Sequence, residues 1–188
     1  MSSEPIRAFL ALEIPDEIKD KIMEVEGGVE RSNADVKLVE RENLHVTMKF
    51  LGDVTASTLD KVYDVMKRVK ESKFEIEVKG TGVFPNLRMV RVLWVGIGAG
   101  SDKVTAVFRT LDSGIAELGF HRERDFTPHI TIGRVRSQRN REELIKAMEK
   151  YGSDEFGTAV VDKIIIKRSI LMQRGPIYSN LREVELQG

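Results

Sequence analysis

The chain has 188 residues, of which 41% are hydrophobic, and this composition predicts a globular protein, either one large domain or two small lobes, rather than a disordered chain. The charges of thirty basic and thirty acidic residues cancel, which excludes non-specific attraction of nucleic acid by a net positive charge. Any anion-binding site must therefore be local. Cysteine is absent, which excludes disulfides, thiolate metal sites and a cysteine nucleophile.

The first half of the chain predicts the order strand, helix, strand, helix, strand. The opening run MSSEPIRAFLALEIP is too short in its apolar part for a signal peptide or a membrane span, so we expect a cytoplasmic protein. Residues 7–14 predict a strand that stops at Pro15, where a helix begins that frays or ends at Gly27-Gly28. Further elements of this half are a short strand at 36–40, a strand at 44–51, a helix with a capping box at Ser57-x-x-Asp60 and a strand at 74–79.

The second half repeats this plan. Residues 80–86 contain two glycines and a proline, which predict a loop and a boundary between halves 1–86 and 87–188, with chain exchange between the lobes left open. After it we predict a strand at 90–97, a helix capped by Ser101, a charged loop at 121–125, a strand through 126–132, a helix from Asn140, a strand at 160–171, a turn at Gly175-Pro176 and an edge strand at 178–186. A strand-helix order that occurs twice predicts an α+β fold with two lobes of antiparallel sheet around a central cleft.

Two copies of one short motif occupy equivalent strands of the two halves. His45-Val-Thr47-Met and His129-Ile-Thr131-Ile use two of the three histidines of the chain, and the third, His121, lies in the charged loop and is expected to be solvated. Because side chains alternate along a strand, each motif presents an imidazole and a hydroxyl on one face, and Leu44, Val46, Met48 and Phe50 are expected on the opposite, core face. A lone strand histidine is commonly structural, but a matched pair favours a functional site.

Several other chemistries fit these residues less well. Zinc sites need three or four protein ligands and the HExxH spacing is absent, so we expect no metal. A Ser-His-Asp triad needs one histidine and a G-x-S-x-G turn, which the chain lacks, and the glycines at 96, 98 and 100 have the wrong spacing for a dinucleotide motif. Two histidines on either side of a phosphorus can instead act as a base and an acid near neutral pH, and the threonine hydroxyls can hold the phosphate oxygens.

The chain resembles the 2H phosphoesterase superfamily and, within it, the RNA 2′,3′-cyclic phosphodiesterase family, also known as the 2′-5′ RNA ligase family. The resemblance runs almost end to end. It rests on Arg7-x-Phe-x-Ala, on ENLHVTMKFLG at 42–52, on GVFP at 82–85, on FTPHITIGR at 126–134, and on Ser169 followed by Gly175-Pro-x-Tyr178.

The resemblance implies a bilobal fold without a cofactor that hydrolyses the 2′,3′-cyclic phosphate end of an RNA, such as a tRNA fragment, to a 2′-phosphate. It implies His45 and His129 as the acid and base and Thr47 and Thr131 as phosphate donors, and it also implies a reverse reaction that forms 2′-5′ links. Further candidate cleft residues are Lys49, Arg134 and Tyr178. Lys49 shares the His45 face by alternation, Arg134 reaches the His129 face only with a bulge at Gly133, and Phe84 is expected in the core.

Alternatives stay open at this point. The cleft could belong to a non-catalytic module that binds RNA ends or nucleotides, or to a related phosphodiesterase for another cyclic or 2′-5′-linked nucleotide. Replacing His45 or His129 distinguishes an enzyme from a binding module. A monomer is the simplest expectation, because no apolar interaction stripe is evident.

Overall fold

The computed structural model describes residues 4–187, so the first three residues of the segment weighed as a signal peptide lie outside the described residues. The helices are α1 (Asp16–Arg31), α2 (Ala56–Met66), α3 (Ser101–Ala116) and α4 (Arg141–Glu149), with a short 3-10 turn at Arg41–Asn43. The strands are β1 (Ile6–Leu12), β2 (Val36–Leu38), β3 (Val46–Val54), β4 (Phe74–Asn86), β5 (Met89–Ile97), β6 (His129–Val135), β7 (Glu155–Val161), β8 (Lys163–Met172) and β9 (Gly175–Glu185). The predicted order of strands and helices is confirmed in the first half, and in the second half as far as α4.

The strands of residues 4–187 form one antiparallel sheet, in which the order is β7-β4-β5-β6-β3-β1-β8-β9 and β2 pairs with β6. The two motif strands, β3 and β6, are neighbours at its centre, where Val46 pairs with Ile130. This one register pair joins a half sheet of β7, β4, β5 and β6 to a half sheet of β3, β1, β8 and β9. The two histidine motifs therefore meet at the junction of the two halves.

The helices cross between these half sheets. Helix α1 follows β1 in the chain but packs against α4, β7 and β6, whereas α3 follows β5 but packs against α2 and β3. Strand β4 comes from the first part of the chain and pairs with β5 and β7, while β8 comes from the second part and pairs with β1. Each half sheet therefore contains strands from both parts of the chain. The division into 1–86 and 87–188 remains a prediction that refers to the sequence, not to the two half sheets.

Two helix boundaries differ from the sequence prediction. Helix α1 continues through Gly27-Gly28, and a Cβ at Gly28 would lie 3.1 Å from Cε2 of Tyr151, so the glycine allows close packing rather than ending the helix. Helix α2 has Thr55 as its N-cap, and the Thr55 hydroxyl accepts a hydrogen bond from the Thr58 backbone N–H, so the predicted capping box at Ser57 is wrong.

Two strand predictions were also wrong. Residues 80–86 continue β4 instead of forming a loop, because a bulge next to Val78 and another next to Phe84 absorb the irregular residues while pairing with β5 persists. Residues 160–171 belong to two strands, because β7 ends at Val161 and β8 begins at Lys163.

The core faces of the two motif strands pack beneath the helices. Val46 and Ile130 are completely buried, as are Leu10, Leu93 and Ile132 on and beside these strands. The opposite face of β3 and β6 therefore carries the histidines and threonines away from the core. None of the helices in residues 4–187 combines the length and apolar character that a membrane crossing requires.

Candidate active site

The pairing of β3 with β6 brings the two motifs side by side. In an antiparallel pair centred on Val46 and Ile130, His45 lies beside Thr131 and Thr47 lies beside His129, all on the face opposite the core. The axis that relates the two motifs passes through this residue pair. The four residues predicted from the repeated motif thus share one surface.

Both imidazoles are held in the same tautomer by the backbone. The Nδ1 of His45 lies 2.6 Å from the Asn43 carbonyl oxygen, and the Nδ1 of His129 lies 2.7 Å from the Thr127 carbonyl oxygen. A carbonyl oxygen only accepts hydrogen bonds, so each Nδ1 carries the proton and each Nε2 is left for chemistry. The Nε2 of His45 is 2.7 Å from the Thr47 hydroxyl, which donates to it.

Aromatic rings surround each histidine. The His45 ring lies 5.0 Å from the Phe9 ring and 5.6 Å from the Tyr178 ring, centroid to centroid. The His129 ring lies 5.0 Å from the Phe84 ring in an edge arrangement. Phe84 is thus half-buried on the cleft side of β4, and its predicted place in the core was wrong, because its ring packs against His129 and lines the cavity there.

This packing lowers the pKa of both histidines. Burial, above all other causes, lowers the pKa of His45 to about 4, and the hydrogen bond to Asn43 offsets only part of that effect. Burial also lowers the pKa of His129, with a smaller contribution from the nearby Arg134 guanidinium. With both pKa values below 6.5, both imidazoles are neutral at pH 7 and each Nε2 is a proton acceptor.

A bulge directly after each motif threonine sets the direction of the side chains that follow it. Against β1, Thr47 pairs with Ala11 and Lys49 with Leu10, so Met48 is an extra residue on β3. Against β5, Thr131 pairs with Trp94 and Gly133 with Leu93, so Ile132 is an extra residue on β6. An extra residue reverses the alternation of side-chain direction in the strand beyond it. The side chain of the third residue after each threonine therefore points to the cleft face.

The bulges place Phe50 and Arg134 at equivalent positions in the cleft. Arg134 is exposed there, as the sequence allowed if a bulge occurred near Gly133. Phe50 was predicted in the core, but its side chain is 62% exposed and lines the cleft, so that prediction was wrong. Phe50 and Arg134 both stand three residues after the motif threonine. A bulge in both motif strands, like the one considered at Gly133, would have predicted the cleft position of Phe50.

Lys49 is the predicted site residue that the structure removes from the phosphate position. It is buried, and its ammonium donates to Asp112 Oδ1 at 2.8 Å and to the His121 carbonyl oxygen at 2.6 Å. Asp112 Oδ1 also accepts from the Glu123 backbone N–H at 3.2 Å. The Met48 bulge turns Lys49 inward, so its ammonium connects the loop before β6 to β3 and is engaged there, although the residue contributes to the wall of the cavity beside His129.

Two cavities open on either side of the motif residues. One has a volume of about 190 Å³ and includes His45, Asn43 and Tyr178 in its wall. The other has a volume of about 350 Å³ and includes His129, Phe84 and Phe126. Both are lined by Thr47, Phe50, Thr131 and Arg134. The shared residues form the floor between the two cavities.

The remaining residues of the sequence motifs lie around this floor. Tyr178 borders the His45 cavity, and burial raises the pKa of its phenol. Arg7 and His121 are exposed, the latter as predicted, and Ser169 pairs with Tyr178 between β8 and β9. Within residues 4–187, no three His, Asp or Glu side chains are grouped as the ligands of a metal ion would be.

Comparison with known proteins agrees with this geometry. The profile of the LigT like Phosphoesterase family matches the chain twice, over residues 12–94 and over residues 95–178. The chain belongs to the LigT-like phosphoesterase family. The double match confirms the predicted superfamily resemblance and the predicted α+β fold with two pseudo-symmetric lobes.

Relatives of known name cover nearly the whole chain. A protein of Methanothermobacter thermautotrophicus named RNA 2′,3′-cyclic phosphodiesterase is 37% identical over 183 residues, which are 96% of this chain and 99% of that protein. A crystal structure from Thermus thermophilus superposes with a TM-score of 0.80 at 26% identity and covers 97% of this chain and 99% of that one. Escherichia coli LigT complexed with ATP superposes with a TM-score of 0.74 at 25% identity, over 98% and 100% of the two chains.

Proposed function

We propose that the protein hydrolyses the 2′,3′-cyclic phosphate end of RNA to a 2′-phosphate, with two histidines as the acid and base and no metal. The observation that carries this proposal is the pairing of Val46 with Ile130, which puts two imidazoles of the same tautomer and two hydroxyls on one face. A module that only binds RNA ends has no need of two such nitrogen atoms. The names of the full-length relatives support the substrate class.

The reaction requires a base that accepts a proton from water and an acid that donates a proton to the leaving oxygen. One histidine accepts a proton from water through Nε2, and the water oxygen forms a bond to phosphorus. The bond from phosphorus to O3′ breaks, and the other histidine gives O3′ a proton, which leaves the phosphate on O2′. The hydroxyls of Thr47 and Thr131 donate hydrogen bonds to the two non-bridging oxygens and keep the attacking and leaving oxygens in line.

The substrate itself prepares the acid. Both histidines are neutral at pH 7 because burial lowers their pKa values, but a phosphate anion on the cleft floor favours the charged form of an imidazole facing it. Thr47 donates to His45 Nε2 in the structure, and turning this hydroxyl to the phosphate frees that nitrogen. Binding of the anion thus sets up one charged and one neutral histidine.

Arg134 and Phe50 complete the site from equivalent positions. The Arg134 guanidinium borders both cavities and provides a cation at the shared floor, where it compensates the phosphate charge. The exposed ring of Phe50 offers a surface on which a base can stack. Tyr178 packs edge-on to His45 and holds the imidazole orientation.

Ligation is the same chemistry in reverse, with an RNA 5′-hydroxyl in place of water and the histidines exchanging roles. In water, hydrolysis is expected to dominate. The RNA partner, the cytoplasmic location and the monomeric state are predictions of the sequence that this function fits.

The test is hydrolysis of a short RNA that ends in a 2′,3′-cyclic phosphate, in the presence of EDTA, with the position of the product phosphate identified. We expect a 2′-phosphate from the wild type and a loss of about a hundredfold or more in kcat for His45→Ala and for His129→Ala. His121→Ala is the matched control, because this exposed histidine lies outside the motifs. It should retain wild-type turnover.

Each contrary outcome has its own meaning. Loss of turnover in EDTA would show that the proposal omits a metal. Wild-type protein that binds the RNA end but never turns it over would identify a binding module. Turnover of another cyclic or 2′-5′-linked nucleotide in place of this RNA would leave the two-histidine chemistry and overturn the substrate.

A further inference from the structure

Two stretches of this neutral chain are rich in arginine and free of acid. Residues 126–141 contain Arg134, Arg136, Arg139 and Arg141 without any Asp or Glu, in the run RVRSQRNR. Residues 78–101 likewise contain no acidic residue, and they carry Arg88 in the turn between β4 and β5 and Arg91 on β5. Positive charge is therefore concentrated in two segments although the whole chain has a net charge of zero.

The fold brings these two segments together beside the cleft. Val92 of β5 pairs with Arg134 of β6, and Gln138 Nε2 donates to the Val90 carbonyl oxygen at 3.0 Å. Arg141 Nη1 donates to the Arg88 carbonyl oxygen at 2.6 Å, which fixes the start of α4 against the β4–β5 turn. On the other side of β6, Lys37 of β2 pairs with Arg134. Arg134 is thus common to the active-site floor and to this cationic region.

We call the exposed cations of this region the arginine surface, and they are Lys37, Arg88, Arg91, Arg134, Arg136 and Arg139. Within the described residues, none of them forms an ion pair with a carboxylate. Other surface cations do, among them Lys67 with Asp64 and Arg68 with Glu117. Uncompensated like charges repel one another, so they are favourable only with an anionic partner.

We propose that the arginine surface binds the phosphodiester backbone of the RNA on the 5′ side of the cyclic phosphate. This inference rests on the proposed function, in which the cyclic phosphate is the end of an RNA chain. The backbone that must be bound is the part of that chain that precedes the cyclic phosphate. The terminal phosphate on the cleft floor lies next to Arg134, and the preceding nucleotides run outward over Arg91, Arg136 and Arg139. Exposed Leu87 and Met89, on either side of Arg88, add apolar surface for bases.

The surface makes an oligonucleotide, rather than a mononucleotide, the preferred substrate. Contacts to phosphates carry little sequence information, so the preference is for length and charge. Each neutralised phosphate of a single strand contributes about 0.7 to the slope of log affinity against log salt. A longer RNA should therefore gain more from low salt than a dinucleotide does.

The test compares a twelve-nucleotide RNA with a dinucleotide, both ending in a 2′,3′-cyclic phosphate, for wild type and for the triple variant Arg91→Gln/Arg136→Gln/Arg139→Gln. These three side chains make no hydrogen bond in the described structure, so the variant is expected to fold. The matched control is Lys21→Gln/Lys61→Gln/Lys103→Gln, which removes the same charge from exposed positions on α1, α2 and α3.

The expected result is a fall of about tenfold or more in kcat/KM for the long RNA relative to the dinucleotide, with a salt slope shallower by about 2. The control variant should keep the wild-type ratio. An equal effect on both substrates, or no effect, overturns the proposal. If the wild type hydrolyses neither RNA, the proposed function fails, and fluorescence anisotropy with the labelled twelve-nucleotide RNA then decides the surface: weaker binding by the triple variant supports it and equal binding refutes it.

Discussion

Glu26 is a buried carboxyl group that should make the stability of this protein depend on pH. The residue lies on the core side of α1, which packs against α4, β7 and β6. Its side chain is only 3% exposed, and Oε1 has no hydrogen-bond partner in the described structure. Burial, with a smaller contribution from the Glu30 charge, raises the pKa of Glu26 to about 8.

The size of the effect follows from this pKa. A carboxyl whose pKa rises on folding stabilises the folded state fully at pH values below its unfolded pKa of about 4.5, and this contribution is lost as pH rises through the folded pKa. One pKa unit corresponds to about 1.4 kcal/mol, so the rise to about 8 corresponds to at most about 5 kcal/mol in the free energy of unfolding. Glu26→Gln removes the titrating group at nearly constant shape.

The measurement is urea unfolding of the wild type and Glu26→Gln at pH values from 5 to 9, followed by circular dichroism. The variant should gain stability over the wild type as pH rises, with the difference growing until about pH 8 and then levelling. Glu24→Gln, at an exposed position on the same helix, is the control and should show a small constant difference. A constant difference between wild type and Glu26→Gln across the whole range would refute the reasoning, because other titrating groups cancel in the comparison.

Three further predictions concern the cleft and the buried ion pair beside it. The pKa values of His45 and His129 are both lowered below 6.5, so the bell-shaped profile of kcat/KM against pH should have its maximum below pH 6.5. At higher pH, kcat/KM should fall about tenfold per pH unit. An optimum at about pH 8 would contradict the lowered pKa values. Phe50→Ala should raise KM by about tenfold or more while kcat changes less, since the exposed ring supports stacking and not the fold; steady-state kinetics showing a lower kcat at unchanged KM would rule stacking out. Lys49→Met removes the buried cation beside Asp112 and leaves the exposed Arg122 guanidinium, 3.7 Å away, as its charge partner, so it should cost about 3 to 5 kcal/mol in the free energy of unfolding. The pair Lys49→Met/Asp112→Leu should recover most of that loss in thermal unfolding; equal losses in both variants would mean that the ion pair is not the cause.

Much of the site was predictable because its signal is local. A histidine and a threonine two positions apart share a face of any strand, and finding the pattern twice in a chain with three histidines predicted His45, Thr47, His129 and Thr131. The alternating or helical spacing of apolar residues likewise predicted the order of elements in both halves. The paired motifs and the apolar spacing depend only on residues close together in the chain, so both can be predicted from the sequence alone.

The sequence by itself determined the paired motifs, the repeated plan and the fold class, while tertiary structure decided which side chains join the motifs in the cleft. Whether a strand accommodates an extra residue depends on the register of its partner, and the bulges at Met48 and Ile132 arise where β3 meets β1 and β6 meets β5. Those two residues turn Phe50 and Arg134 into the cleft and turn Lys49 toward Asp112, a partner 63 residues away in the chain. Such contacts form only when distant segments pack, which is why no local pattern of residues could supply them.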